Sequence, residues 1–251
     1  MEISFKDKVV VITGGTRGIG RSISLKFAEE GANLVINFLR NVNEAEKTKK
    51  EIEDRGGVCE LVKGNIAEPE VAEKIREVVQ SKFGKADIIV LNAASGVLKE
   101  FHQTDLKHFR WTLEINVFGQ INLVKTLLDL IPEGGKVIGI SSLGGVRAIP
   151  YYTLVGASKG ALESALRHIA VELSPKKINV NIVSAGVVET GALRFFPNKD
   201  ELIQESKRRT PLGRLVTPDD VANVVLLLAS PLSDMIQGQT IFVDGGYSIL
   251  A

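Results

Sequence analysis

The stretch Thr13-Gly14-Gly15-Thr16-Arg17-Gly18-Ile19-Gly20 joins a short apolar run to the first helical pattern of the chain. The run before it, Val9-Val10-Val11-Ile12, is typical of a buried strand, and the helical pattern ends at Gly31. Glycines at such a junction permit a tight turn and let the backbone approach a pyrophosphate, which then rests on the helix N-terminus. The junction therefore predicts a dinucleotide site that includes Gly14, Thr16, Arg17, Gly18, Ile19 and Gly20.

Apolar, β-branched runs alternate with longer helical patterns along the rest of the chain. Strands are expected at residues 9–12, 33–37, 58–62, 88–91, 136–141, 178–183 and 240–243. Helices are expected at residues 18–30, 44–55, 68–83, 105–130 and 152–173, and from residue 217 onward. This alternation is typical of α/β proteins. We therefore predict one domain over residues 1–251, a Rossmann-like, doubly wound parallel sheet of about seven strands with helices on both faces.

The composition excludes several classes of protein. Of the 251 residues, 44% are hydrophobic and 24% are charged, and the formal net charge of +1 gives no basis for binding nucleic acid or a membrane surface. No apolar run reaches the ~18 residues of a membrane span. The single Cys59 excludes an internal disulfide, and the His residues lack the spacing of metal ligands, so no metal site is expected. Because the first residues show no signal-peptide pattern, we expect a cytoplasmic protein.

The residues after the second strand bear on the choice of dinucleotide. NAD sites usually place an acidic residue near this point to bind the ribose 2′-hydroxyl, but the sequence reads Asn37-Phe38-Leu39-Arg40. Arg40 and Arg17 could instead pair with a 2′-phosphate, although two solvated arginines are the alternative. The sequence therefore favours NADPH over NADH.

A tyrosine and a lysine are placed so that they could share a proton-delivery task. Tyr152 precedes Lys159 by seven residues, which is two helical turns, so the two side chains align to within about 20°. Tyr151 would point roughly 80° away from that face. One turn before Lys159 stands Val155, which has no proton to donate. The catalytic pair is therefore predicted to be Tyr152 and Lys159.

The sequence resembles the short-chain dehydrogenase/reductase superfamily along its whole length. The matching pieces are Thr13-Gly14 with Gly18 and Gly20, Asn92-Ala93-Ala94, Asn116, Ser141-Ser142, Lys159, 186–190 and 243–246. Most members place the tyrosine four residues before the lysine, where this chain has Val155. The displaced Tyr152, with the phrases at 92–98, 141–144 and 235–240, is similar to the enoyl-acyl carrier protein reductase III subgroup. Enoyl reductase I shares the interval, but its cofactor loop is more divergent.

The resemblance implies roles for individual residues. It makes Asn116 a support of Lys159, directly or through water, and Thr190 a contact of the nicotinamide carboxamide. Ser142 aligns with the substrate-orienting serine of the superfamily, although an ordinary serine at a strand end is equally compatible. Asn92 and Ala93 correspond to positions beside the adenosine ribose, and Asn65 to a neighbour of the adenine. The remaining cofactor positions implied are Ile66, Gly186 and Val188.

The shifted tyrosine suits reduction of a double bond conjugated to a thioester. Ketone reduction puts hydride on the carbon that bears the oxygen, whereas enoyl reduction puts it on C3, three bonds from the oxygen that becomes negative. A shift of three residues moves the tyrosine by roughly 4.5 Å along the helix. We therefore predict NADPH-dependent reduction of the C2=C3 bond of trans-2-enoyl thioesters, on acyl carrier protein or coenzyme A, in fatty-acid synthesis. Tyr152 would donate to the enolate oxygen, and Lys159 would hold the nicotinamide ribose.

The segment 185–215 is a candidate substrate lid, because it follows the carboxyl end of a strand. Its apolar residues, Leu193, Phe195, Phe196 and Leu202, fit an acyl channel or ordinary packing. Lys207-Arg208-Arg209 fits an acidic carrier protein or a solvated helix end. The family resemblance implies a homotetramer.

Two other functions stay open. One is a carbonyl reductase, for example of 3-oxoacyl thioesters, that uses Tyr151 or Tyr152 in an altered register. The other is a catalytically silent dinucleotide-binding protein, which the absence of tyrosine at position 155 would permit.

Overall fold

A computed structural model describes residues 3–250, so residues 1, 2 and 251 of the predicted domain lie outside the described residues. The described chain forms one seven-stranded parallel sheet in the order β3-β2-β1-β4-β5-β6-β7. The strands are β1 (Val9–Thr13), β2 (Asn33–Phe38), β3 (Cys59–Lys63), β4 (Ile88–Leu91), β5 (Lys136–Ser142), β6 (Asn179–Ala185) and β7 (Thr240–Val243). The predicted doubly wound α/β fold is confirmed.

Eight helices connect the strands within residues 3–250. They are α1 (Gly18–Glu29), α2 (Val42–Glu53), α3 (Pro69–Lys82), α4 (Leu106–Leu113), α5 (Gly119–Leu127), α6 (Thr153–Leu173), α7 (Lys199–Arg209) and α8 (Pro218–Ala229). None of these helices is long and apolar enough to cross a bilayer.

The sheet separates two apolar cores. On one face, residues such as Ile12 and Ile36 pack with Phe27 of α1 and Val225 of α8. On the other face, residues such as Val11 pack with side chains of α3, α5 and α6. Burial of each large aliphatic side chain contributes about 1.5–3 kcal/mol to stability. Because both faces are covered, the central strands are apolar throughout, and this is why the sequence shows them as continuous runs.

The predicted long helix over 105–130 is divided into α4, a π turn over Glu114–Phe118, and α5. A π turn accommodates an extra residue in a helix, and such turns often lie at functional sites. The turn contains Asn116, whose side chain is fully buried. The helical periodicity of the sequence continues across the turn, so the interruption was not predicted.

The segment 185–215 is more regular than a loop. It contains a 3₁₀ turn over Gly191–Phe195 and then α7. The strand order reverses between β1 and β4, which pair with each other although β2 and β3 lie between them in the chain. Ligands of open α/β sheets bind where the order reverses, at the carboxyl ends of the strands.

Candidate active site

The loop between β1 and α1 has the backbone that a pyrophosphate site needs. Gly14 and Gly18 have φ angles of +66° and +52°, which residues with a side chain rarely adopt. A Cβ on Gly20 would lie 2.2 Å from the carbonyl oxygen of Gly14, so only glycine permits this approach. In the described part of the chain, the Arg17 side chain makes no capping bond to α1, and the first turn of α1 carries no acidic residue. The N–H groups there can therefore receive an anion, and a dinucleotide fits.

The residues that follow the adjacent strand β4 hold this loop in place through hydrogen bonds. The amide Nδ2 of Asn92 donates to the carbonyl oxygens of Thr13 (2.9 Å) and Gly14 (3.0 Å). The hydroxyl of Thr13 accepts from the backbone N–H groups of Asn92 and Ala93, both at 2.9 Å. Asn92 therefore shapes the cofactor loop, a role that the family resemblance did not suggest.

Gln120 completes this network and was missed in the sequence. It is fully buried in α5, accepts from the Thr13 hydroxyl (2.9 Å) and donates to the carbonyl oxygen of Ala93 (2.9 Å). The available signal was an amide among the apolar residues of a helix, because a buried amide needs hydrogen-bond partners.

The structure keeps both candidate phosphate-binding arginines exposed. Neighbouring Arg21 and Arg55 pair with Glu51 and Glu29, whereas Arg17 and Arg40 enter no ion pair within residues 3–250. Two other predicted cofactor residues follow β3: Asn65 is half-buried and its Oδ1 accepts from the N–H of Ala67, while Ile66 is buried.

Tyr152 and Ser142 meet at the carboxyl end of β5. The hydroxyl oxygens of the two residues are 3.2 Å apart, within hydrogen-bond distance. Burial raises the pKa of the Tyr152 hydroxyl, and the hydrogen bond with Ser142 offsets part of that rise. Tyr152 thus stays protonated near neutrality and can donate a proton or a hydrogen bond.

Lys159 lies under the same strand end. Its ammonium group donates to the carbonyl oxygen of Ile140 at 2.8 Å, and the residue is only 6% exposed. Burial lowers the pKa of Lys159 to about 8, while the nearby charge of Glu163 acts in the opposite direction. Tyr152 is the residue before α6, and its carbonyl oxygen accepts from the N–H of Gly156, but its own φ angle of −109° is not helical. The alignment of Tyr152 with Lys159 stays a prediction.

The two alternative positions for a tyrosine differ from that of Tyr152. Tyr151 has a φ angle of +63°, so its backbone turns away from the helical path. Val155 is 8% exposed, and its Cγ2 atom would lie 2.3 Å from a Cβ built on Gly96. An aliphatic side chain packed against the loop after β4 therefore occupies the position one turn before Lys159.

Asn116 is engaged away from Lys159. Its Nδ2 donates to the carbonyl oxygen of Ser95 (2.8 Å) and to the Ser158 hydroxyl (2.9 Å), and its Oδ1 accepts from the N–H of Ser95 (2.8 Å). Both amide N–H donors are thus occupied. The residue fixes the loop after β4 to α6, and the support of Lys159 that the resemblance implied stays a prediction.

The segment 185–215 contacts both parts of the site. A Cβ built on Gly18 would lie 3.5 Å from Thr190, so Thr190 borders the cofactor loop. The ring of Phe196 stacks on Tyr152, with centroids 5.9 Å apart and an interplanar angle of 14°. The other two predicted cofactor residues of the segment are Gly186 and Val188. Gly186 packs beside Asp244, and Val188 is buried and forms a β-bridge with Val216.

Two of the residues considered for an acyl channel differ in exposure. Leu193 is buried, whereas the Phe195 ring is exposed beneath the guanidinium of Arg194.

Among residues 3–250, no cluster of His, Cys, Asp or Glu side chains could hold a metal ion.

Comparisons with known proteins identify relatives with similar sequences. The family model described as "Enoyl-(Acyl carrier protein) reductase" matches residues 14–248. The 1-cyclohexenylcarbonyl-CoA reductase of Streptomyces collinus is 34% identical, over 97% of this chain and 88% of its own length. The NADH-type enoyl-[acyl-carrier-protein] reductase of a Nostoc species is 31% identical, over 100% and 99%. A probable tetrahydroxynaphthalene reductase of Zymoseptoria tritici is 32% identical, over 95% and 93%.

The fold of this chain is similar to that of a solved structure. The L-sorbose reductase of Gluconobacter frateurii, determined with NADPH and L-sorbose, has a TM-score of 0.92, 27% sequence identity and complete coverage of both chains. The family match, the parallel sheet and the glycine loop agree. The chain is an oxidoreductase that belongs to the short-chain dehydrogenase/reductase family, whose fold binds a nicotinamide dinucleotide.

Proposed function

We propose that this protein reduces the C2=C3 double bond of trans-2-enoyl thioesters with NADPH, in fatty-acid synthesis. One observation carries the proposal. The available donor, Tyr152, lies two turns before Lys159 and beside Ser142, while the position one turn before Lys159 is filled by buried Val155. Relative to the usual arrangement, the hydroxyl that donates the proton is therefore displaced by three residues, to the residue that precedes α6.

The displacement matches the chemistry of a conjugated thioester. When bound, the reduced nicotinamide supplies hydride to C3. Negative charge then develops on the thioester oxygen, three bonds away, rather than one bond away as in a ketone. A donor that serves this oxygen must lie further from the accepting carbon, and moving by three residues shifts a helical side chain by roughly 4.5 Å.

Each residue of the site has a defined task in this proposal. The Tyr152 hydroxyl, kept protonated by its raised pKa, donates to the forming enolate oxygen. Ser142 orients that hydroxyl through their hydrogen bond. Lys159 holds the nicotinamide ribose, and its positive charge favours the developing anion. A proton from solvent, added at C2, then completes the saturated thioester.

The choice of NADPH rests on Arg17 and Arg40. Both guanidinium groups are exposed, and β2 is followed by no acidic residue that would bind a ribose 2′-hydroxyl. The Nostoc relative is named for NADH, so NADH is the alternative to be measured.

The carrier of the acyl group is either coenzyme A or acyl carrier protein. The name of the Streptomyces relative specifies a coenzyme A thioester, and that of the Nostoc relative specifies acyl carrier protein. In our proposal the segment 185–215 is the lid over the acyl chain, and the enzyme works as a cytoplasmic homotetramer. Sizing by light scattering tests the assembly.

Carbonyl reduction is the second candidate, and one distance favours it. Hydroxyls 3.2 Å apart, as in Ser142 and Tyr152, can both bind a single ketone oxygen. The reductases from Zymoseptoria and Gluconobacter are named for substrates other than enoyl thioesters.

The deciding experiment follows NADPH oxidation with crotonyl-coenzyme A and acetoacetyl-coenzyme A in parallel, with NADH as a control. Turnover of the enoyl substrate alone supports the proposal. Turnover of the keto substrate alone replaces it with carbonyl reduction. A protein that binds NADPH but reduces neither compound, nor the corresponding acyl carrier protein thioesters, is the catalytically silent alternative.

A further inference from the structure

A buried carboxylate lies one helical turn beyond Lys159 and takes no part in the chemistry described above. Glu163 is 3% exposed, and residues four apart on a helix share one face. Its Oε1 accepts a hydrogen bond from the Ser141 hydroxyl. Ser141 directly precedes Ser142, so this carboxylate is bonded to the strand end that carries the active-site serine.

Two glycines that follow β5, Gly144 and Gly145, leave space for the side chains of Tyr152 and Glu163. A Cβ built on Gly145 would lie 2.5 Å from the Oε1 atom of Glu163, and a Cβ on Gly144 would lie 2.4 Å from the ring of Tyr152. The same pair of glycines therefore permits close packing against both the proton donor and the carboxylate. The neighbouring hydroxyl of Ser184, which pairs in register with Ser141, is buried without a partner in the part of the chain described.

Within residues 3–250, no direct ion pair joins Lys159 and Glu163; each is buried and bonded to β5, and the two act on each other through space, one helical turn apart. A buried carboxylate that receives a bond from a neutral hydroxyl still lacks a counterion, and an isolated buried charge costs several kcal/mol. Lys159 has three N–H donors, of which one is used within residues 3–250, by the carbonyl oxygen of Ile140. The field of Glu163 acts on Lys159 in the direction that stabilises the ammonium form.

Other groups around Lys159 do not supply this charge. The π turn packed against α6 begins at Glu114, which is exposed, and β5 begins at Lys136, which pairs with Asp234. The polar groups nearer this part of α6, namely Ser141, Ser142, Ser184 and Asn116, are neutral. Helix α4 also contacts α6 and carries three basic residues. Of these, Lys107 and Arg110 are exposed, and His108 is paired with Asp105.

We propose that Glu163 is a positioning residue that keeps Lys159 protonated and, through Ser141, fixes α6 against the end of β5. Glu163 touches neither cofactor nor substrate in this arrangement. Its contribution to activity rests on the proposed role of Lys159, but its effect on the charge of Lys159 does not.

The direct test follows the titration of Lys159 in cofactor-free protein. Protein labelled with ¹³C at lysine Cε is titrated by NMR, and the Lys159 signal is assigned from its loss in Lys159→Met. We expect Glu163→Gln to lower the titration midpoint of Lys159 by about one pH unit, because an opposite charge one helical turn away is removed. The matched control is Glu172→Gln, an exposed residue of the same helix, which should leave the midpoint in place. An unchanged midpoint in Glu163→Gln overturns the inference.

Activity gives an independent reading. The alkaline limb of the kcat/KM profile, which reports the free enzyme, should move to lower pH in Glu163→Gln together with the NMR midpoint. If the midpoint moves and the kcat/KM profile does not, the effect of Glu163 on Lys159 stands and the proposed role of Lys159 fails. Ser141→Ala should lower kcat without moving the Lys159 midpoint; an unchanged kcat refutes the part played by Ser141.

A second variant covers the case in which Glu163→Gln does not fold. The double variant Glu163→Gln/Lys159→Met removes both charges, and it should recover cooperative thermal unfolding because no buried charge remains unpaired. A double variant as unstable as the single one contradicts the pairing.

Discussion

The aromatic ring of Phe196 lies nearly parallel to that of Tyr152, and this contact joins the segment 185–215 to the proposed proton donor. Stacked pairs contribute about 0.5–1.5 kcal/mol beyond their buried area. The contact restrains the Tyr152 ring, whose hydroxyl must meet Ser142. The segment 185–215 can therefore influence the residue that precedes α6.

Replacing Phe196 with leucine should lower kcat by up to about tenfold, because the lost stacking energy corresponds to at most about one factor of ten in rate. The measurement is steady-state kinetics with the enoyl thioester. The adjacent Phe195→Leu is the control, since that ring is exposed and does not contact Tyr152. Equal losses in the two variants would show that the stacking is unimportant.

Removing the Tyr152 hydroxyl should abolish most of the activity and leave the cofactor bound. Loss of one such donor typically lowers kcat by about 10²–10³-fold. Tyr152→Phe is compared with Tyr151→Phe in turnover and in NADPH affinity measured by fluorescence. Near wild-type turnover by Tyr152→Phe would remove this residue from the catalytic role.

The activity should decline as the pH rises through about 8. The pKa of Lys159 lies near that value because burial disfavours its charged form, so the positive charge is present below pH 8 and lost above it. Tyr152 does not cause this decline, because its own pKa is raised and its proton is retained. A kcat/KM profile between pH 6 and 10, which reports groups of the free enzyme, measures the limb; a constant kcat/KM across pH 8 would exclude control by Lys159.

Cofactor preference should respond to Arg40. Hydrogen bonds to charged groups contribute about 1.5–3 kcal/mol, so Arg40→Gln should raise the KM for NADPH by about 10- to 100-fold and leave that for NADH nearly unchanged. Arg55→Gln is the control, because Arg55 pairs with Glu29 instead. If both cofactors are affected equally, Arg40 does not read the 2′-phosphate.

Much of this fold could be predicted from the sequence, because strands buried on both faces are apolar throughout and glycine is required where the loop after β1 approaches α1. The two-turn interval between Tyr152 and Lys159 can also be read from the sequence, since a helix repeats its faces every two turns, but the pairing of the two side chains stays a prediction.

Contacts between distant segments were not predicted. The bond from Ser141 to Glu163 and the stacking of Phe196 on Tyr152 depend on how separate elements pack. The π turn contains Asn116, whose side chain bonds the backbone of Ser95, and this distant contact gives no local signal in the helix. Hydrophobic periodicity specifies which face of an element is buried, but it does not specify which polar group lies opposite.

The first turn of α1 has no capping side chain and no acidic residue, so binding of a dinucleotide there should stabilise the folded state. A dinucleotide that supplies the missing anion binds the native chain and not the unfolded one, so it should stabilise the protein by about 2.7 kcal/mol at a concentration one hundred times its Kd. The supply of that dinucleotide would then set how much of this protein resists unfolding and degradation, so that a shortage of the ligand would be felt as a loss of protein.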